Sequence, residues 1–261
     1  MLVQDRIRIN GAVCHKAAFS VRAGDAIEIS PRHKPPSLPA GLGILFEDEA
    51  ILVIYKPSGL LTVATPDERE RTAFAYLRRF LKERNPRQKL YIVHRLDRYA
   101  SGILVFSKTE DIQLRLKELF SRHDVRRMYW AIVKGRVEQE RGTIRSYLAE
   151  DRSFHMRSVK DRKQGKEAVT HYRVLRRFSD LSTLEVTLET GRKNQIRAHL
   201  SEIGHPVAGD RAYGGKIDPI GRLALHAFHL GFVHPTLGKP VEFTTEPPQE
   251  FLPYLPKAAT K

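Results

Sequence analysis

The sequence predicts an α+β fold built on a mixed, mostly antiparallel sheet, on three observations. Thr183–Thr190 alternates Leu184, Val186 and Leu188 against Glu185, Thr187 and Glu189, the pattern of an antiparallel strand with one wet face. Ile51–Tyr55, Ile103–Phe106 and residues 129–133 are short apolar runs that read as buried strands. Helical stripes are scattered among them without the regular alternation of a doubly wound sheet.

In chain order, residues 1–30 form a small β-rich piece. Ile7 and Ile9 lead into the turn Asn10-Gly11, and Val21 is followed by Gly24-Asp25 and Ile27–Ile29. Residues 31–43 hold four prolines and two glycines with no periodicity, so they read as a linker and mark the domain boundary. Residues 67–85 predict a basic helix with Phe74, Leu77 and Leu81 on one stripe, stopped at Asn85-Pro86. Thr109 caps a second helix; Glu110 and Asp111 suit its positive end, and Ile112, Leu116, Leu119 and Phe120 face inward. After Gly191-Arg192-Lys193, a short helix over 194–203 places Ile196, Leu200 and Ile203 together and ends at Gly204.

Charge and composition narrow the function. The 261 residues, 41% of them hydrophobic, suffice for one large domain with a small appendage. Lys and Arg number 45 against 30 Asp and Glu, a net charge of +15 that points at a polyanionic partner. The single cysteine, Cys14, excludes an internal disulfide framework and a four-cysteine zinc site, and fits a reducing cytoplasm. No apolar run approaches membrane-spanning length. His226, His229 and His234 lack the Cys or nearby carboxylate expected beside a metal, and no nucleotide-binding glycine motif is present. No cofactor and no metal are expected.

The chemistry concentrates at His94-Arg95-Leu96-Asp97, just before a buried strand, where a rigid scaffold presents a carboxylate to a substrate. Two readings of Asp97 stand: a catalytic carboxylate, or a turn residue bonding its own backbone. Arg197, in the first turns of its helix, either grips that carboxylate by a two-point contact or meets phosphate. Tyr129, beside Arg126 and Arg127, either stacks on an extruded base or packs in the core, the commoner fate of a strand tyrosine.

Four ordered blocks resemble the RluA-type pseudouridine synthases. Lys56-Pro57-Ser58-Gly59 is similar to the family's Lys-Pro-x-Gly element, and His94-Arg95-Leu96-Asp97 with Ser101-Gly102 to its signature. Tyr129-Trp130-Ala131 falls on its tyrosine motif, and Gly191-Arg192-Lys193-Asn194-Gln195-Ile196-Arg197-Ala198-His199-Leu200 on its late element, continued by Gly204-His205-Pro206 and Gly209-Asp210. The resemblance covers residues 44–255. It implies a central catalytic cleft and a uridine-isomerising RNA enzyme, with Asp97 as catalytic carboxylate, Arg197 orienting it and Tyr129 stacking on the base. Arg95, Lys56, Arg192, Lys193 and Gln195 would hold RNA. The expected partner is a structured ribosomal or transfer RNA, and the expected state a monomer.

Three positions depart from the family pattern. Ala100 stands where Thr is common, Asn194 where His is usual, and Thr62 where His often follows Lys-Pro-x-Gly. Residues 8–13 and 21–27 resemble the second half of the alpha-L RNA-binding module, without its leading helices.

Overall fold

The computed structural model describes residues 7–14, 16, 18–29, 38–214 and 217–257. Strands β1 (Ile7–Ile9), β2 (Ala12–Val13) and β3 (Ile27–Ile29) form a small antiparallel sheet in the order β2-β1-β3. Asn10 (φ 51°) and Gly11 (φ 80°) supply the two left-handed residues that a tight hairpin turn demands. Asn10 then ties the sheet together, its side chain bonding Asp25 Oδ1 (2.8 Å) and the Ala26 amide (2.9 Å). Of the linker expected over 31–43, residues 31–37 lie outside the described residues. Leu38 already packs on the main core, and Gly43 opens a strand.

The main body carries β4 (Gly43–Glu47), β5 (Ile51–Lys56), α1 (Ala73–Arg84), β6 (Tyr91–Ile92), β7 (Ser101–Ser107), α2 (Glu110–Ser121) and β8 (Arg126–Lys134). These are followed by β9 (Arg141–Glu150), β10 (Met156–Val159), β11 (Lys166–Arg177), β12 (Leu181–Leu188), α3 (Gln195–Glu202), β13 (Leu225–Val233) and β14 (Pro240–Thr244). Its 11-stranded sheet runs β10-β9-β11-β12-β8-β13-β7-β5-β4, with β14 added to β13 and β6 to β7. Its pairings are antiparallel except β13 with β7, so the expected mixed, mostly antiparallel sheet is present.

The continuous apolar runs have a simple cause. In β5, Leu52 and Ile54 face one core with α1 while Ile51 and Val53 face a second with α2; in β7, Leu104 and Phe106 oppose Ile103 and Val105 in the same way. Strands covered on both faces cannot alternate. Helix α1 starts at Ala73 rather than near residue 67, because Thr72 caps it by accepting the Ala75 amide (3.1 Å) and forces the preceding residues into turns. Thr109 caps α2 through the Ile112 amide (3.3 Å), as its sequence indicates.

Candidate active site

Asp97 sits in the loop between β6 and β7, and a second loop, between β5 and α1, splints it. Thr62 Oγ1 accepts the Leu96 amide (3.1 Å) and donates to the Leu96 carbonyl (2.8 Å), closing a buried two-way clasp next to Asp97. Ser58 Oγ donates to the Tyr99 carbonyl (2.6 Å), the Gly59 amide to the Arg98 carbonyl (2.9 Å), and Arg98 Nε back to the Gly59 carbonyl (3.1 Å). His94 Nε2 accepts the Val105 amide (3.2 Å) and its ring packs on Phe120, so this histidine is a neutral brace. Burial pushes its pKa down to about 3, which suits that acceptor role.

Beneath the loop, Gly102 (φ +121°) lies so close to β13 that any Cβ there would collide with the Ala227 backbone. Only glycine lets β7 run parallel beside β13 at this point. Ser101 then bonds His226 Nδ1 (2.7 Å), fixing the strand that leads out of the Asp97 loop.

Arg197 is gripped from three sides. Its Nε and Nη2 donate side-on to Asp210 (2.6 and 2.8 Å), and Nη1 reaches Asn194 Oδ1 (3.1 Å) and Asp97 Oδ2 (3.4 Å). Tyr213 lies under the guanidinium, 4.9 Å from ring centroid to Cζ. The pairing of Arg197 with Asp97 is therefore present, but the two-point fork goes to Asp210; Asp97 receives one longer contact. Desolvation works against the guanidinium charge, and the Asp210 carboxylate outweighs it and raises the Arg197 pKa. Asn194, in the left-handed conformation (φ 50°) before α3, aims its side chain at Arg197 in place of capping the helix.

Around this centre is a cleft of about 470 Å³, of the size that encloses small ligands. Asp97, Leu96, Ala100, Tyr129, Leu225, Ile196 and Arg197 line it together. Tyr129 is 7% exposed and sits both in the core cluster and on the cleft wall, so the two readings of this residue are not exclusive. Burial raises its phenol pKa, Arg127 opposes this, and Asp97 reinforces it.

Arg95, Arg192 and Lys193 are exposed on the cleft rim, where a polyanion can reach them. Two other expected RNA contacts are corrected. Lys56 is fully buried, and its ammonium donates to the carbonyls of Pro57 (2.8 Å), Leu60 (2.8 Å) and Arg98 (3.1 Å), which leaves no proton for a phosphate. Desolvation pushes its pKa down to about 7, against the pull of Asp97. Gln195 is also buried; it accepts from Thr190 Oγ1 and the Arg192 amide and donates to the Val169 carbonyl and Thr170 Oγ1, a full set of bonds. Lys56 ties the 57–60 turn to the loop after Asp97, and Gln195 fixes the cleft wall at the start of α3. Asp210 and Arg127 also belong to the site: the sequence sets them in Gly209-Asp210 and in the basic pair before Met128, and only the fold shows what each side chain meets.

The model of the family described as RNA pseudouridylate synthase matches residues 50–202. An uncharacterized RNA pseudouridine synthase of Aquifex aeolicus is 34% identical over 94% of this chain and 83% of its own length. The ribosomal large subunit pseudouridine synthase D of Escherichia coli K12 is 32% identical over 96% of this chain and 82% of its own. Among solved structures, human RNA pseudouridylate synthase domain containing 1 is similar with a TM-score of 0.66 at 26% identity, covering 87% of this chain and 94% of that one. Human domain containing 4 gives the same TM-score and identity over 80% of this chain and 90% of that one. A mostly antiparallel sheet, an Asp–Arg pair in a cleft and these matches agree: the chain belongs to the RNA pseudouridylate synthase family, of RluA type, and is an isomerase acting on RNA.

Proposed function

We propose that this enzyme converts a specific uridine of large-subunit ribosomal RNA to pseudouridine, with Asp97 as the catalytic carboxylate. The observation that carries the assignment is the position of Asp97: at the cleft wall, braced by Thr62 and met by an Arg197 that Asp210 has already fixed. The ribosomal substrate is suggested by relatives named ribosomal large subunit pseudouridine synthase D in Zymomonas mobilis, 35% identical, and in E. coli. The catalytic unit is proposed to span 44–255, with residues 1–30 a partial alpha-L-type piece.

The reaction needs no redox partner. The bond from ribose C1′ to uracil N1 breaks, the base turns, C1′ bonds C5, and the C5 proton is lost while N1 gains one. Asp97 is the carboxylate placed to act on the sugar or the base. Arg197 positions it, and Tyr129 offers a ring to the extruded base and a phenol near C5 chemistry. Extrusion costs a few kcal/mol and least in loops, so the substrate is an exposed uridine in structured RNA. Arg95, Arg192 and Lys193 contact the backbone at the rim.

Incubation of the protein with bulk RNA from a strain lacking it, followed by pseudouridine mapping, tests this reading. A new site in large-subunit RNA, absent with Asp97→Asn, is expected. A site confined to transfer RNA would overturn the substrate, and full activity of Asp97→Asn would overturn the catalytic assignment.

A further inference from the structure

We propose that Arg127 forms a subsite for the phosphodiester adjoining the target nucleotide, as a cationic patch inside the cleft that, among the described residues, no carboxylate neutralises. The inference rests on the cleft being the uridine site. Arg127 lies on β8 two residues before Tyr129, so both side chains leave the same face of the strand, and both line the cleft. It is more than nine-tenths buried, at 7% exposure.

What surrounds it is incomplete for a buried cation. Nη2 donates to the Glu189 carbonyl (3.0 Å) and at the limit to that of Leu188 (3.5 Å); the guanidinium stacks on Phe120 at 5.3 Å. Nε has no acceptor among the described residues. Desolvation opposes its charge, and so does the nearby Arg192. Arg197, which lines the same cleft, is by contrast held by Asp210 and Asp97. Room for Arg127 is made by Gly191, where any Cβ would run into Nη1.

A buried guanidinium with a free N–H and no counter-charge is costly unless a ligand completes it. A uracil carbonyl could accept the hydrogen bond but would leave the charge uncompensated. A phosphate oxygen does both, and the planar fork of arginine suits it. The rim beside this point, Lys117, His123 and Arg192, adds basic groups that lead an RNA backbone inward.

Calorimetric titration of the full-length protein with uridine, uridine 5′-monophosphate and uridine 3′-monophosphate tests the subsite without requiring turnover. At least one monophosphate is expected to bind about tenfold tighter than uridine, the value of one charge-assisted contact, and the one that gains identifies the phosphate. In Arg127→Met the gain shrinks below about twofold, and Arg127→Lys keeps part of it. Asp97→Asn retains the gain in full. Equal binding of all three probes to the wild-type protein overturns the proposal. So does an undiminished gain in Arg127→Met, or an equal loss for uridine and its monophosphates, which would mark Arg127 as a mere prop for the 188–189 backbone. Should Arg127→Met fail to fold in a thermal melt, Gly191→Ala displaces the guanidinium with its charge retained and must also lower the gain. Failure of the pseudouridine mapping with the gain intact would sink the uridine-isomerase substrate while leaving the phosphate subsite standing.

Discussion

At the scale of single residues, the site divides labour between two arginines of the same chemistry and opposite accounting. Arg197 has acceptors for Nε and both terminal nitrogens, and it transmits that order to Asp97 by one 3.4 Å contact. Lysine at 197 would keep a charge but could not span Asp210 and Asp97 together. Arg197→Lys is therefore expected to lower kcat at least tenfold, about one charged hydrogen bond's worth, with RNA affinity held within about twofold. Single-turnover kinetics and a binding titration read the two separately; matched losses in both would make Arg197 a phosphate contact. The role of Asp210 was not legible from spacing, because nothing in the sequence says which carboxylate meets the fork.

At the scale of elements, the Lys-Pro-Ser-Gly run and the His-Arg-Leu-Asp run are one mechanical unit separated by 34 residues at the Thr62–Leu96 clasp. Thr62→Val keeps the shape and removes both bonds, leaving the Leu96 amide and carbonyl without a partner in a buried place. A loss of about 2 kcal/mol of stability is expected, together with a several-fold fall in kcat and little change in KM. Unchanged turnover would mean that Asp97 does not depend on the clasp. Gly102→Ala attacks the other support, the close β7–β13 pairing, and is expected to yield insoluble or molten protein by circular dichroism and melting. Much of this level was readable: the runs of β5 and β7, the Thr109 cap and the Asn10-Gly11 turn follow from local rules. Lys56 and Gln195 misled because a polar side chain in a motif resembles a ligand contact, and only burial shows that backbone carbonyls have taken its donors.

At the scale of the whole molecule, strand content was legible and strand order was not, since order depends on pairings such as β13 between β8 and β7 that join distant segments. That central pairing also sets a pH limit. His226 is fully buried between two hydroxyls, Ser101 Oγ at Nδ1 (2.7 Å) and Thr245 Oγ1 at Nε2 (2.9 Å), and burial holds its pKa down to about 3; His94 stands at about 3 for the same cause. Unfolded, each ring would bind a proton near pH 6.5. Between about 6.5 and 3 the unfolded chain binds more protons than the native one, so stability is complete above this window and falls as pH drops through it. Each histidine removes about 2 kcal/mol between pH 7 and 5. Glu47 and Glu250, whose pKa values are lowered from 4.5, add their losses only further down. Urea unfolding at pH 7, 6 and 5 should show this decline before the carboxylates titrate, and a flat profile would mean that the rings can be protonated in place. Because the Ser101–His226 bond anchors the strand leaving the Asp97 loop, isomerase activity should fade along the same pH course as stability.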